Sequence, residues 1–319
     1  MGVKHMALSR RDFLKTSAAW GAGAAALTLP ASAPASEPGI AFPKARRDRI
    51  SVTSWPFRNY IESLTNRYRD PKLPGMDLKD FAAMVAQRFN IHNINPLSWH
   101  FKSSSPAYLE GFRKALEQAG SHIVGLGLAG GPFYDPNSST REAAVADAKR
   151  WIDIAVIVGS PSVRPQISES HSLTPDVDRC AHSFGTLAAY GARKNVVVNM
   201  ENDDPVTQDP FFIAKVIEKV DNPYLCSLPD FGNDAVKGAA FNARALRTMF
   251  RHAYNMCHVK GEVKDRQGHT CKVDLPQIFH IAKASHYGGY FSMEYDTDFG
   301  DPYAGTKMLI EETLKYLGA

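Results

Sequence analysis

Asn195-Val196-Val197-Val198-Asn199-Met200-Glu201 is the stretch from which the fold can be read. Three adjacent β-branched valines favour extended backbone, and a run this apolar reads as a buried strand. Downstream, Tyr224 to Leu228, Asn255 to Val259 and Tyr290 to Met293 repeat the pattern. Between them Ile213/Val216/Ile217, Leu246/Phe250 and Ile278/Ile281 recur at three- and four-residue spacing, as amphipathic helices do. Upstream, Ile50 to Ser54, Ile91 to Asn95, Ile123 to Leu126 and the weaker Ser162 to Arg164 read as strands, each followed by a helical segment; the third helix starts near Ser139. Strand starts recur about every 30 to 40 residues, and eight such units in roughly 270 residues predict an α/β fold of the (β/α)8 TIM-barrel type. Strand counting alone leaves a doubly wound open sheet as the competitor.

The 319 residues are 44% hydrophobic and 22% charged, an ordinary globular composition that excludes a disordered chain or a disulfide-stapled mini-protein. Four cysteines, Cys180, Cys226, Cys257 and Cys271, contain no C-x-x-C pair, so a zinc ribbon is excluded and structural thiols are expected, with a disulfide left open. The formal charge is +4, but Lys4, Arg10, Arg11 and Lys15 against Asp12 give residues 1–35 a net of +3, leaving +1 for the rest. No overall basic field points to nucleic acid. The cluster Lys44, Arg46, Arg47 and Arg49 reads as a solvated lead-in to the domain.

Residues 1–35 read as an address. Ser9-Arg10-Arg11-Asp12-Phe13-Leu14-Lys15 matches the twin-arginine export pattern, an Ala/Gly-rich run follows, and Ala33-Pro34-Ala35 supplies a small-x-small cleavage pattern. The expected organisation is a signal peptide over 1–35, a linker over 36–47 and a barrel over 48–319. No apolar run of about 18 residues follows, so a membrane-integral chain is not expected. The expected location is periplasmic or otherwise exported, with the twin-arginine machinery a partner in transit, which favours free sugars or glycosides over phosphorylated intermediates.

Gly125-x-Gly127-x-x-Gly130 has the spacing of a dinucleotide fingerprint and follows a strand. That motif requires a helix to begin at its glycines. Here Pro132 and Asp135-Pro136-Asn137 intervene, so a loop at the barrel mouth is expected and no nucleotide cofactor.

The chemistry lies in four residues at one phase of the repeat. Glu201, Asp230, His258 and Glu294 each terminate one of four consecutive strands. In a barrel those ends converge on one mouth, where active sites are built. Three carboxylates crowded together repel unless a divalent cation compensates. Two Glu, one Asp and one His suit one Mn²⁺, Mg²⁺ or Co²⁺, with Zn²⁺ as the softer alternative.

The pieces Asn199-Met200-Glu201-Asn202, Pro229-Asp230-Phe231-Gly232-Asn233, His258-Val259-Lys260 and Met293-Glu294-Tyr295 resemble the xylose isomerase-like TIM-barrel proteins, which include sugar isomerases, ketose 3-epimerases and inosose dehydratase. The resemblance spans about 48–316. It implies that Glu201, Asp230, His258 and Glu294 hold one divalent metal and that Glu201 and Glu294 also act as acid and base. It further implies proton abstraction beside a carbonyl through an enediolate. Lys260, Arg164, Trp55 and Asn233 are the candidate substrate contacts, with Phe57 and Trp99 as further walls. The pattern departs from the 3-epimerases at Asn233, where they carry a His, at Lys264, where they carry an Arg, and at Asn95, where many relatives have an acid. The expected activity is a metal-dependent sugar isomerase or epimerase. The alternatives are a lyase or dehydratase on 3-keto-glycosides or inososes, and a sugar-binding barrel without catalysis.

Overall fold

The computed structural model describes residues 37–168, 173–204 and 208–318; the export reading of 1–35 falls outside them. Eleven strands are seen among the described residues: β1 Ile50–Thr53, β2 Asn93–Asn95, β3 His122–Ile123, β4 Leu126–Gly131, β5 Ser162–Ile167, β6 Val197–Glu201, β7 Leu225–Leu228, β8 Met256–Val259, β9 Glu262–Lys264, β10 Thr270–Lys272 and β11 Tyr290–Met293. Eight helices alternate with them: α1 Leu78–Phe89, α2 Pro106–Gln118, α3 Ser138–Val158, α4 Val177–Lys194, α5 Pro210–Val220, α6 Ala239–Phe250, α7 Leu275–Ala284 and α8 Pro302–Tyr316. Short polar side chains start most of them: Asp77, Ser105, Asn137, Asp176, Asp209, Asp274 and Asp301 each accept a backbone N–H of the first turn.

The strands form a parallel TIM barrel in two arcs. One runs β3-β2-β1-β11-β8, the other β4-β5-β6-β7, while β9 and β10 make a separate antiparallel hairpin. β3 and β4 are two pieces of one barrel strand, broken at Val124-Gly125; β3 pairs with β2 and β4 with β5. The arcs meet at two narrow joins. Leu97 bridges Gly127 at one, and at the other Ser227 bridges Ala253 and Asp230 bridges His258.

The expected glycine loop is corrected by this arrangement. Gly127 and Gly130 lie inside β4. A Cβ on Gly127 would come within 2.5 Å of the Leu97 side chain and 3.1 Å of Arg164, so close side-chain approach explains this glycine. The following helix begins at Ser138.

Inside the barrel, above the buried valines, Asn199 donates to Asn255 Oδ1 at 2.9 Å, and Asn255 donates to Ser162 Oγ at 2.8 Å. Asn255 also donates to the Val124 carbonyl at 3.2 Å, so these amides tie β6, β5 and the residue just before β8 together across the barrel interior. The helices pack their apolar faces around the strands in one core that includes Phe57, Phe81, Phe112 and Phe184. Phe57 therefore packs as core, its ring 5.7 Å from Phe81 and 5.0 Å from Tyr303, and does not wall a pocket.

Two further expectations change. The segment read as linker is packed from Pro38 on: Pro38 accepts the Tyr254 hydroxyl at 2.6 Å, and Phe42 meets Tyr254 and Tyr290 edge-on. Arg49 is no solvated lead-in, since its guanidinium donates to the Tyr287 and Gly289 carbonyls at 3.0 Å. All four cysteines are free. Among the described residues no helix is long and apolar enough to cross a membrane.

Candidate metal centre and active site

Parallel pairing brings the C-terminal strand ends to one mouth. Glu201 closes β6, Asp230 lies two residues past β7, His258 is inside β8 and Glu294 follows β11. All four are buried, and one donor atom from each lies within 4.8 Å of the others. His258 Nδ1 stands 2.5 Å from Glu201 Oε1, 2.9 Å from Glu294 Oε2 and 3.9 Å from Asp230 Oδ2.

The far nitrogen of that imidazole is held by Asn95. The Asn95 amide group donates to the Gly125 carbonyl at 2.6 Å, so its Oδ1 is the atom that faces His258 Nε2, at 2.9 Å. An oxygen there requires a proton on Nε2, so the Nδ1 position faces the carboxylates: it donates to them when His258 is protonated and offers its lone pair when His258 is neutral.

Asp230 is oriented from its backbone. Its Oδ1 accepts the N–H groups of Gly232 and Asn233, each at 2.8 Å. Asn202 reaches across from the end of β6, accepting the Asp230 N–H at 2.8 Å and donating to its carbonyl at 3.1 Å. Oδ2 stays buried without an aligned hydrogen bond, aimed into the cluster.

Two cations brace the acids. Arg164 Nε lies 3.0 Å from Glu201 Oε2. Lys260 Nζ lies 3.0 Å from Glu294 Oε1 and 3.3 Å from Asp230 Oδ2, and donates to Asn233 Oδ1 at 2.7 Å. Asp203, bonded to Gln166, completes the ring of charge.

Burial and neighbouring charge then sort the protonation states. Burial works to raise Glu201, but Arg164 and His258 outweigh it and hold the carboxyl below its usual range. Glu294 is held well below by Lys260 and His258 against the same burial. Asp230 is pushed up to about 6, chiefly by burial. His258 rises to about 10 because Glu294 and Glu201 overcome its desolvation. Asp203, which lines the cavity, rises to about 7 through burial and Glu201.

The donor set fits a divalent ion. When all four are ionised, Glu201, Asp203, Asp230 and Glu294 carry four negative charges against two positive ones on Arg164 and Lys260. A divalent cation would balance the difference once it displaces the Nδ1 proton of His258, and Asp230 Oδ2, which has the Lys260 charge nearby but no aligned hydrogen bond, is a donor it would satisfy.

The cluster lies at the end of a cavity of about 540 Å³, whose lining includes Trp55, Tyr68, Trp99, Arg164, Lys260 and Asn233. Of the residues read from the sequence, Trp55, Trp99, Arg164, Glu201, Asn233, Lys260 and Glu294 line this cavity, Asp230 and His258 join Glu201 and Glu294 in the cluster, and Phe57 does not reach it. Lys264, by contrast, lies in β9 with its ammonium 5.5 Å above the Phe299 ring, outside the cavity lining. Asn202, Asp203 and Gln166 were not singled out. Their one signal was position, just past or near the end of a strand that already carried a site residue.

A closed parallel barrel with a carboxylate–imidazole cluster at its C-terminal mouth defines the class. The chain belongs to the xylose isomerase-like TIM barrel family, whose model matches residues 89–317. A xylose isomerase-like TIM barrel protein from Mycobacterium smegmatis in complex with magnesium superposes with a TM-score of 0.63 at 17% identity, over 84% of this chain and 97% of that one. D-psicose 3-epimerase with D-tagatose from Clostridium cellulolyticum H10 gives 0.61 at 13% identity, over 84% and 96%. The 3-keto-D-glucoside 4-epimerase from E. coli gives 0.59 at 15% identity, over 85% and 98%. No curated protein matches the chain. These likenesses establish the shared fold.

Proposed function

We propose that the protein is a divalent-metal-dependent sugar isomerase or epimerase that moves a proton beside a carbonyl. The observation that carries this is the four-residue cluster, with donor atoms within 4.8 Å on successive strand ends. Glu201, Asp230, His258 and Glu294 would hold the ion, Mn²⁺, Mg²⁺ or Co²⁺ on donor type. A divalent ion there supplies positive charge beside a carbonyl and its neighbouring hydroxyl, lowering the cost of the enediolate's negative charge.

The remaining steps belong to the chain's own groups. Arg164 and Lys260 keep Glu201 and Glu294 ionised, so either carboxylate can take the proton from the carbon next to the carbonyl. The electron pair left behind moves to the carbonyl oxygen. For isomerisation the glutamate that took the proton returns it to the adjacent carbon; for epimerisation that proton passes to solvent and the opposite glutamate delivers one taken up from solvent to the other face. Lys260 can donate a hydrogen bond to the oxygen on which charge develops. The charge balance of the cavity favours an uncharged sugar over a phosphorylated one.

Incubation of the mature, Mn²⁺-loaded protein with ketoses and 3-keto-glycosides in D₂O tests the reading. Deuterium beside the carbonyl together with a new sugar is expected. Deuterium with loss of water or an aglycone moves the reading to the lyase alternative, and binding without any exchange moves it to a sugar-binding barrel.

Export belongs to the same proposal. The twin-arginine pattern at Ser9 to Lys15 supports a periplasmic or exported location. Arg10→Lys with Arg11→Lys should leave the chain in the cytoplasm on fractionation; unchanged export would remove that part of the reading.

A further inference from the structure

The cavity extends beyond the carboxylates that would do the chemistry. Trp55, Arg67 and Tyr68 line it as well, and all three come from residues 54–77, between β1 and α1. That connection is 24 residues long, where strand-to-helix loops commonly take about 2 to 6. Connections of such length in a compact domain are usually functional or carry structure of their own.

This one is built. Ile61 bridges Met76, and two backbone bonds, Glu62 N–H to Met76 at 2.8 Å and Met76 N–H to Tyr60 at 2.9 Å, close its neck. Asn66, buried, donates to the Arg58 and Ile61 carbonyls at 2.7 Å each. Within that frame the Trp55 ring is fixed. The Arg58 guanidinium lies 4.1 Å from its centroid and Tyr68 meets it edge-on at 5.2 Å. Arg58 is also ion-paired at 3.2 Å with Asp296, two residues past Glu294. The aromatic wall is therefore fastened to the strand end that carries a reacting carboxylate. Arg67 extends it, donating to the Tyr68 hydroxyl at 2.8 Å with its guanidinium 4.9 Å from the ring centroid.

Rigid aromatic rings offer flat apolar faces at little entropic cost, which suits the C–H faces of a ring that carries its polar groups at the rim. The 540 Å³ volume falls in the range of clefts that enclose ligands of drug size, larger than a single pyranose.

We propose that residues 54–77 form a second subsite, and that the substrate is a keto-glycoside carrying a second ring, which rests on Trp55 and Tyr68 while its first sugar, the one bearing the carbonyl, lies over Glu201 and Glu294. This deepens the sugar reading and rests on it. A disaccharide and an aromatic glycoside share the required chemistry, a flat second ring, and the test separates them.

The experiment is calorimetric titration of the mature, Mn²⁺-loaded protein with methyl pyranosides, phenyl pyranosides and disaccharides of both anomeric configurations. These have no carbonyl in the ring, so binding is measured apart from turnover. A preference of at least about tenfold for a two-ring ligand over its methyl counterpart is expected, and whether phenyl or sugar wins identifies the second ring. Tyr68→Ala and Trp55→Ala should collapse that ratio toward one, and Trp55→Phe, a milder change that keeps a ring, should retain most of it. Equal affinity for methyl and two-ring ligands overturns the subsite while leaving the sugar reading standing. A preference that survives both alanine variants overturns it as well. No binding of any pyranoside, with no deuterium exchange on keto-sugars, overturns the sugar reading and the subsite with it.

Discussion

Asn95 and His258, 163 positions apart in the chain, meet through one hydrogen bond of 2.9 Å that determines which imidazole nitrogen faces the carboxylates. Asn95→Ala removes the acceptor and leaves a buried Nε2–H unpaired. Outer partners of this kind commonly contribute about 10- to 100-fold to metal affinity. Mn²⁺ titration of wild type and variant should show a loss in that range. Nitrogen NMR of labelled histidine should show the His258 tautomer becoming mixed. An unchanged affinity with an unchanged tautomer would make Asn95 a packing residue.

Asp230→Asn tests the centre directly. Wild-type protein, dialysed after expression, should carry about one divalent ion per chain by mass spectrometry. The variant should carry markedly less and lose the rise in melting temperature that added Mn²⁺ gives the wild type. No bound metal and no thermal shift with any of the four ions would exclude a metal centre.

Glu201→Gln and Glu294→Gln should each slow deuterium exchange about 10²- to 10⁴-fold. The double variant should be little worse than the poorer single one, because groups that act as a unit do not add. Independent, multiplying losses would argue against a shared proton path.

His100 gives a pH prediction away from the centre. It is wholly buried, its Nδ1 shares a 2.8 Å hydrogen bond with Ser54 Oγ, and its Nε2 has no partner among the described residues. Burial, with help from Arg58, depresses it from 6.5 to about 3. The unfolded chain therefore binds a proton below pH 6.5 that the folded chain refuses until about pH 3. The contribution to stability is whole above pH 6.5 and is lost as the pH falls through that window. By pH 4.5 the loss from this residue is about 2 to 3 kcal/mol. Urea unfolding of wild type and His100→Gln at pH 7.0 and 4.5 checks it: the variant starts weaker but should lose less on acidification. Parallel losses would refute the assignment.

The strand ends were legible because three valines in a row at 196–198 and the later apolar runs leave little choice of conformation, and an acid or histidine closing each run stands out against them. Asn95 was visible only as a departure. An amide is chemically ordinary until the fold brings a histidine to it. The break at Val124-Gly125 was hidden too, since Gly127 looks like a loop residue until Leu97 and Arg164 are seen crowding it. The order in residues 54–77 comes from contacts such as Arg58 with Asp296, 238 positions apart, for which local sequence carries no signal.

The barrel's two arcs share the four donors evenly: Glu201 closes a strand of one arc and Asp230 follows the next, while His258 and Glu294 belong to the other. An ion held by all four would rivet one half of the barrel to the other beside their narrow join at Asp230 and His258. Loading would then be a mechanical event as well as a chemical one. The amide protons of β8 should exchange more slowly once the rivet is in place. Any variant that weakens the ion's grip would slacken the cylinder, so its lost turnover would have to be separated from lost closure before a role in proton transfer is assigned to it.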